Sequence, residues 1–187
     1  MLCAKKHALG EVALLRDEEF YPADKRLALA SMTLATPYLP SWHHVPPRAL
    51  RLIWNHAGKI VVHTAQRAET LSGSRMVLLE GDTRYEVMTE SRLATYGQLD
   101  LTALSPGNAL KLPEKLRQTS FARMMKLMQE ERCLPFVDSQ GVIRLCLTLL
   151  RGSLTDEKLR LSPTGEELLL ATILAAVGES VAMPGKD

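Results

Sequence analysis

The sequence predicts an α+β fold of mixed helices and antiparallel hairpins that closes in a C-terminal helix–hairpin–helix. Three observations carry that expectation. TSFARMMKLMQEER places Phe121, Met124, Met125 and Met128 at i, i+3, i+4 and i+7, the spacing of an amphipathic helix. CLPFVDSQGVIRLCLTLL follows at once, with Asp138-Ser139-Gln140-Gly141 supplying turn chemistry between two apolar runs, which reads as a hairpin. Upstream, KIVVHTA and RMVLLEGDTRYEVMTE are rich in β-branched and aromatic residues around a Gly81-Asp82 turn, so the middle of the chain reads as mainly β.

Taken in order, a first helix is expected after Pro22 with Asp24 as N-cap, carrying Leu27, Ala30 and Leu34 and stopping before Pro37. PYLPSWHHVPP has four prolines and breaks regular structure. Pro46-Pro47 then set up a second helix, with Leu50, Ile53, Trp54 and Ala57 on one face and Gly58 as its C-cap. KIVVHTA is a strand, and the Gly81-Asp82 hairpin follows with Tyr85 and Val87 on one face of its return strand. Gly97 to Pro113 is rich in turn formers and marks the boundary between an N-terminal α/β part, residues 1–100, and a C-terminal part, residues 101–187. Ser162-Pro163 with Glu166 and Glu167 starts the last helix, whose Leu170, Ile173, Leu174, Val177 and Val181 should pack on the sheet.

Composition sets bounds on function. The chain has 187 residues, 46% of them hydrophobic, enough for a real core in one ordinary domain or two small ones. Twenty-three basic against 21 acidic residues give a net charge of +2, a balanced surface and not a polycation. Cys3, Cys133 and Cys146 are odd in number and widely separated, which argues against a disulfide framework and for a reducing compartment. The first twenty residues lack the apolar stretch and cleavage site of a secretory signal, and no apolar run is long enough for a membrane span, so a cytoplasmic protein without membrane contact is expected.

A helix followed by a β wing is the order a winged-helix nucleic-acid reader uses, and residues 111–132 hold six basic against three acidic residues, a local charge of +3. The leading functional expectation is therefore a non-enzymatic regulatory protein that binds DNA or RNA through Lys115, Arg117, Arg123 and Lys126 on and before the helix, with Arg144 from the wing and Arg151 beyond it. The alternative is an adaptor or chaperone that docks a partner protein through Met124, Leu127 and Met128, since methionine-bearing faces adapt to varied partners. A third reading rests on resemblance. RALRLIWNHAGKIVVH, LLEGDTRYEVMTES and PFVDSQGVIRLCLTLL with the final helix resemble the entry, hairpin and closing elements of GAF-like domains and of the effector domain of IclR-type regulators, which implies a small-molecule-sensing regulatory domain.

Enzyme motifs are missing. His43-His44 is an adjacent pair in a proline-rich loop with no Cys or acidic partner at ligand spacing, so no metal site or cofactor is expected there. His56 and His63 read as structural histidines and Cys133 as a buried thiol. Neither G-x-S-x-G, a phosphate-binding glycine loop nor H-E-x-x-H occurs, and no residue nominates itself as catalytic.

Overall fold

The computed structural model describes residues 2–6, 12–16, 28–35, 41–47, 49–89, 91, 93–102 and 120–182. Seven strands form one antiparallel sheet: β1 (Leu2–Lys6), β2 (Val12–Arg16), β3 (Ala28–Ala35), β10 (Thr95–Thr102), β5 (Ala49–Ala57), β8 (Arg75–Glu80) and β11 (Cys133–Val137), side by side in that order. A second sheet has the order β4 (Trp42–His44), β9 (Arg84–Met88), β6 (Ile60–Thr64) and β7 (Ala68–Leu71). The chain crosses between sheets after β3, β4, β5, β7, β8 and β9, so β3-β10-β5-β8 lies against β4-β9-β6-β7 in a jelly roll of the cupin-like kind. Three helices, α1 (Ser120–Glu131), α2 (Val142–Thr155) and α3 (Pro163–Ala182), cover the other face of the large sheet.

Two cores follow from that layering. Between the sheets lie Ile53, Val62, Leu71, Val77, Leu79, Tyr85 and Val87. Between the large sheet and the helices lie Leu52, Trp54, Met76, Leu78, Leu99 and Leu101, with Met124 and Met128 from α1, Ile143, Leu147 and Leu150 from α2, and Ile173, Leu174 and Val177 from α3. The large sheet is thus buried on both faces, and this explains two departures from the sequence reading. The helix expected at Leu50, Ile53, Trp54 and Ala57 is β5, in which every residue from Ala49 to Asn55 is buried, Leu50, Leu52 and Trp54 toward the helices and Ile53 toward the small sheet. A strand buried on both faces loses its alternation, and its continuous apolar run then matches a helical stripe by chance. The helix expected at Leu27, Ala30 and Leu34 is β3, with Pro22, Asp24 and Leu27 outside the described residues. An i, i+4 spacing such as Ala30–Leu34 shares a face in a strand as well as in a helix.

The Gly81-Asp82 turn exists, with Asp82 at φ 63°, but it joins β8 of one sheet to β9 of the other and is a sheet-to-sheet corner instead of a hairpin. Val45 ties it down through Val45 N–H to the Thr83 carbonyl and Asp82 N–H to the Val45 carbonyl, both 3.0 Å. Tyr85 and Val87 do share the buried face of β9. The strand at KIVVHTA and the helices at α1 and α3 form as expected.

The expected C-terminal hairpin is the main correction. Its first arm is β11, which pairs with β8, while the second arm, VIRLCLTLL, is helix α2. No wing forms. Ile143, Leu147, Leu150 and Leu154 recur at helical spacing and face the core. The Asp138 carboxylate accepts hydrogen bonds from the Ile143 and Arg144 N–H groups at 3.3 and 2.9 Å, so the supposed turn residue caps a helix. Residue 100, where the expected boundary falls, lies inside β10, and Gly97 to Thr102 of the expected linker belong to that strand. Gly97 has a physical reason to be glycine: it lies opposite Trp54, and a β-carbon there would run into the indole ring.

Candidate groove and buried polar cluster

β11 is an edge strand of the large sheet. Glu80 N–H bonds to the Arg132 carbonyl at 3.0 Å and Asp138 N–H to the Ser74 carbonyl at 2.9 Å, so backbone groups of Leu134 and Phe136 turn toward β8 and those of Cys133, Pro135 and Val137 turn outward. Proline fits position 135 because no N–H is needed on the free edge. Beside this edge, between the C-terminal turns of α1 and of α3, runs a groove of about 910 Å³. Leu127, Leu134, Phe136, Val142, Ala176 and Val181 give it an apolar lining, and Arg67, Arg75, Glu131, Ser139, Gln140 and Glu179 give it a polar one. That size lies within the usual range for small-ligand sites, about 300–1,000 Å³.

The charges at the rim are unequally engaged. Arg67 reaches Glu69 at 3.0 Å, Glu131 at 2.9 Å and the Cys133 carbonyl at 3.3 Å, bridging β7, α1 and β11. Arg75 is 53% exposed and only 3.8 Å from Glu69, too long for a hydrogen bond, which leaves its guanidinium largely available. Burial pushes the Cys133 thiol up to about 12, so it is a neutral, inert side chain, and it packs in the core between the sheets.

A second polar feature lies between the sheets. Arg51 of β5 and Asp100 of β10 are register partners and form a two-pronged ion pair, Nε to Oδ1 and Nη2 to Oδ2, both 2.5 Å, with side chains 9% and 4% exposed. Arg51 Nη1 also donates to the Tyr85 hydroxyl, which donates in turn to Gln98 Oε1 at 2.9 Å. The His43 ring packs on Tyr85 with centroids 5.5 Å apart. Burial works against the Arg51 charge, but the Asp100 carboxylate and Tyr85 outweigh it and raise its pKa, so it stays protonated. This cluster links the two sheets through polar bonds.

The residues singled out in the sequence are dispersed. Lys115 and Arg117 lie outside the described residues, Arg123 is in α1, and Lys126 is exposed on it. Arg144 is turned inward: its guanidinium donates to the Asn55 carbonyl at 3.3 Å, to Asn55 Oδ1 at 3.0 Å and to the Gly73 carbonyl. Met124 and Met128 are fully buried in the helix–sheet core, so they are packing residues and not an open docking face; Leu127, half-buried, lines the groove. His43 and His44 sit on β4, and no group of three or more metal-ligating side chains is present among the described residues. Among those residues no helix is long and apolar enough to cross a membrane. Arg51 and Asp100 escaped notice, although each is a lone charge inside an apolar stretch, ALRLIW and QLDLT, of opposite sign. Arg67 and Arg75 had no such signal.

No family model and no curated protein matches the chain. Among solved structures, ToxT from Vibrio cholerae O395, bound to (E)-4-(8-methylnaphthalen-1-yl)but-3-enoic acid, aligns with 84% of this chain at 9% identity and a TM-score of 0.52. The chain spans 57% of that structure's length. ToxT from Vibrio cholerae strain SCE256 with a bound unsaturated fatty acid covers 83% of this chain and 54% of its own, at 13% identity and a TM-score of 0.48. The cupin domain of an XRE family transcriptional regulator from Enterobacter cloacae covers 49% of this chain and 95% of its own, at 15% identity and a TM-score of 0.37. At these identities the likeness to ToxT is one of fold: an α+β chain of two antiparallel sheets in a cupin-like jelly roll, followed by helices.

Proposed function

We propose that this chain is a non-enzymatic, small-molecule-sensing regulatory domain whose ligand lies in the groove beside β11 and has an apolar body with an acidic group. The observation that carries this reading is the pairing of an apolar floor, Leu127, Leu134, Phe136 and Val181, with the loosely held Arg75 at its rim. Such a site covers the hydrocarbon part by burial and fixes the acid by a charge-assisted bond. The fold neighbour ToxT was solved with a ligand of that chemistry, an arylbutenoic acid. The groove touches α1, β11 and α3 together, so an occupant alters how two helices sit against the sheet edge.

Titration calorimetry with the arylbutenoic acid and with an unsaturated fatty acid below its micelle concentration tests the reading. Binding is expected, with Arg75→Ala weakening it about tenfold or more while the melting temperature stays nearly unchanged. Leu127→Asp should abolish it, its fold checked by circular dichroism. Absence of binding to either acid, or equal affinity in Arg75→Ala, refutes the groove as the ligand site. Nucleic-acid binding through the basic helix has lost its wing and the free guanidinium of Arg144, and salt-sensitive binding of duplex DNA by a protein that ignores both acids would restore it to first place.

A further inference from the structure

Glu69 lies behind the two cations of the groove and reaches both. It belongs to β7, where it shares a face with Leu71, two residues on, and Leu71 packs in the core between the sheets. The Glu69 side chain is therefore turned inward at the end of the small sheet, toward β8, and is 12% exposed. One of its oxygens is 3.0 Å from Arg67 Nε and the other 3.8 Å from Arg75 Nη2, so a single carboxylate spans both guanidinium groups. Arg67 is set further by the β6–β7 turn: Thr64 N–H donates to the Arg67 carbonyl at 2.8 Å, and Arg67 N–H donates to the Thr64 hydroxyl at 3.2 Å. With Glu131 at 2.9 Å from its Nη1, Arg67 has a carboxylate on two of its nitrogens and little left for a ligand. Among the described residues the Arg75 guanidinium has Glu69 alone, at ion-pair and not hydrogen-bond distance.

Charge decides what such a subsite accepts. Arg67 and Arg75 line the groove against Glu131, Asp138 and Glu179, and Glu69 behind them makes four carboxylates to two cations. One negative charge on a ligand takes the open donors of Arg75, which the distant Glu69 oxygen does not fill. A second negative charge finds no cation that is not already engaged, and it faces the Glu69 carboxylate across Arg75. We propose that Glu69 determines the charge specificity of the groove. By holding Arg67 and Arg75 with one carboxylate, it restricts the acidic group of the ligand to a monoanion, a carboxylate, and turns away dianions such as phosphate monoesters. This inference rests on the groove being the ligand site proposed above. Glu69 acts through the two arginines, so it is a positioning residue, and its signature is the choice between ligands of different charge.

The test is titration calorimetry of the full chain at pH 8 with decanoate and with decyl phosphate, each below its micelle concentration. The two share a hydrocarbon chain and differ in charge, since the phosphate monoester is close to a dianion there. The parent should bind decanoate about tenfold tighter than decyl phosphate, and Glu69→Gln, which keeps the shape and an acceptor for Arg67, should shift that ratio about tenfold toward the phosphate. Glu69→Asp retains the charge and should retain the parent's preference. A merely structural role for Glu69 would change both affinities together and leave their ratio as it was; thermal melts check that each variant folds. Decanoate binding with the same ratio in the parent and in Glu69→Gln overturns this inference and leaves the groove reading standing. A parent that takes decyl phosphate as tightly as decanoate does the same, and that measurement needs no variant. Binding of neither decyl ligand to the parent overturns this inference, and the groove reading falls with it if the two acids named above also fail to bind.

Discussion

Replacing Asp100 by Asn removes one charge from the interior of the jelly roll and leaves the other. Arg51 is then a buried cation whose Nε and Nη2 donors, now 2.5 Å from carboxylate oxygens, face an amide with one acceptor and one donor group. With the pair 9% and 4% exposed, water cannot make up the loss. Breaking a buried pair on one side costs about 3–5 kcal/mol. For a chain of this size each kcal/mol lowers the melting temperature by about 2–4 °C, so Asp100→Asn should melt roughly 6–20 °C lower. Arg51→Met with Asp100→Leu removes both charges and both desolvation costs, and it should recover most of that loss, ending within about 2 kcal/mol of the parent. Urea unfolding of the parent, Arg51→Met, Asp100→Leu and the double variant closes the cycle, with Asp100→Asn measured beside them. The reasoning is refuted by an Asp100→Asn variant within about 1 kcal/mol of the parent, or by a double variant as unstable as the single ones.

Other parts of the structure give sharper local expectations. Gly97→Ala forces the Trp54 ring off its seat and should destabilise the chain by about 1–3 kcal/mol, with a changed Trp54 fluorescence spectrum as the second readout. Asp138→Ala leaves the Ile143 and Arg144 N–H groups without their cap, costs about 0.5–2 kcal/mol, and should speed hydrogen exchange in the first turn of α2 more than elsewhere. Cys133 should ignore a thiol reagent at pH 8 unless the protein unfolds. Because its folded pKa, about 12, lies above the ordinary thiol value of about 9, its contribution to stability is complete below pH 9 and lost as pH rises toward 12, which thermal melts of the parent and Cys133→Ala across that window can read.

What the sequence determined by itself is what depends on one buried side. Helix α1, helix α3 and strands β6 and β9 each turn one face to a core and the other outward, so their apolar spacing records their period, and Tyr85 and Val87 could be assigned to one face from sequence alone. Strands β3 and β5 lie in a sheet covered on both sides, which erases alternation, and only the second layer reveals them as strands. At Asp138-Ser139-Gln140-Gly141 the same residues suit a hairpin turn or a helix start; Asp138 becomes a cap because β11 already has its partner in β8 and the following residues must cover the sheet as α2. The Gly81-Asp82 turn was legible, but whether it returned to the same sheet or crossed to the other depended on β10 and β11 filling the places beside β5 and β8. The groove was likewise beyond local reading, since Leu127, Phe136 and Val181 meet only when distant segments pack. The Arg51–Asp100 pair stands between: each residue is visible as a lone charge in an apolar stretch, but their pairing is set by the register of β5 against β10, which tertiary structure alone fixes.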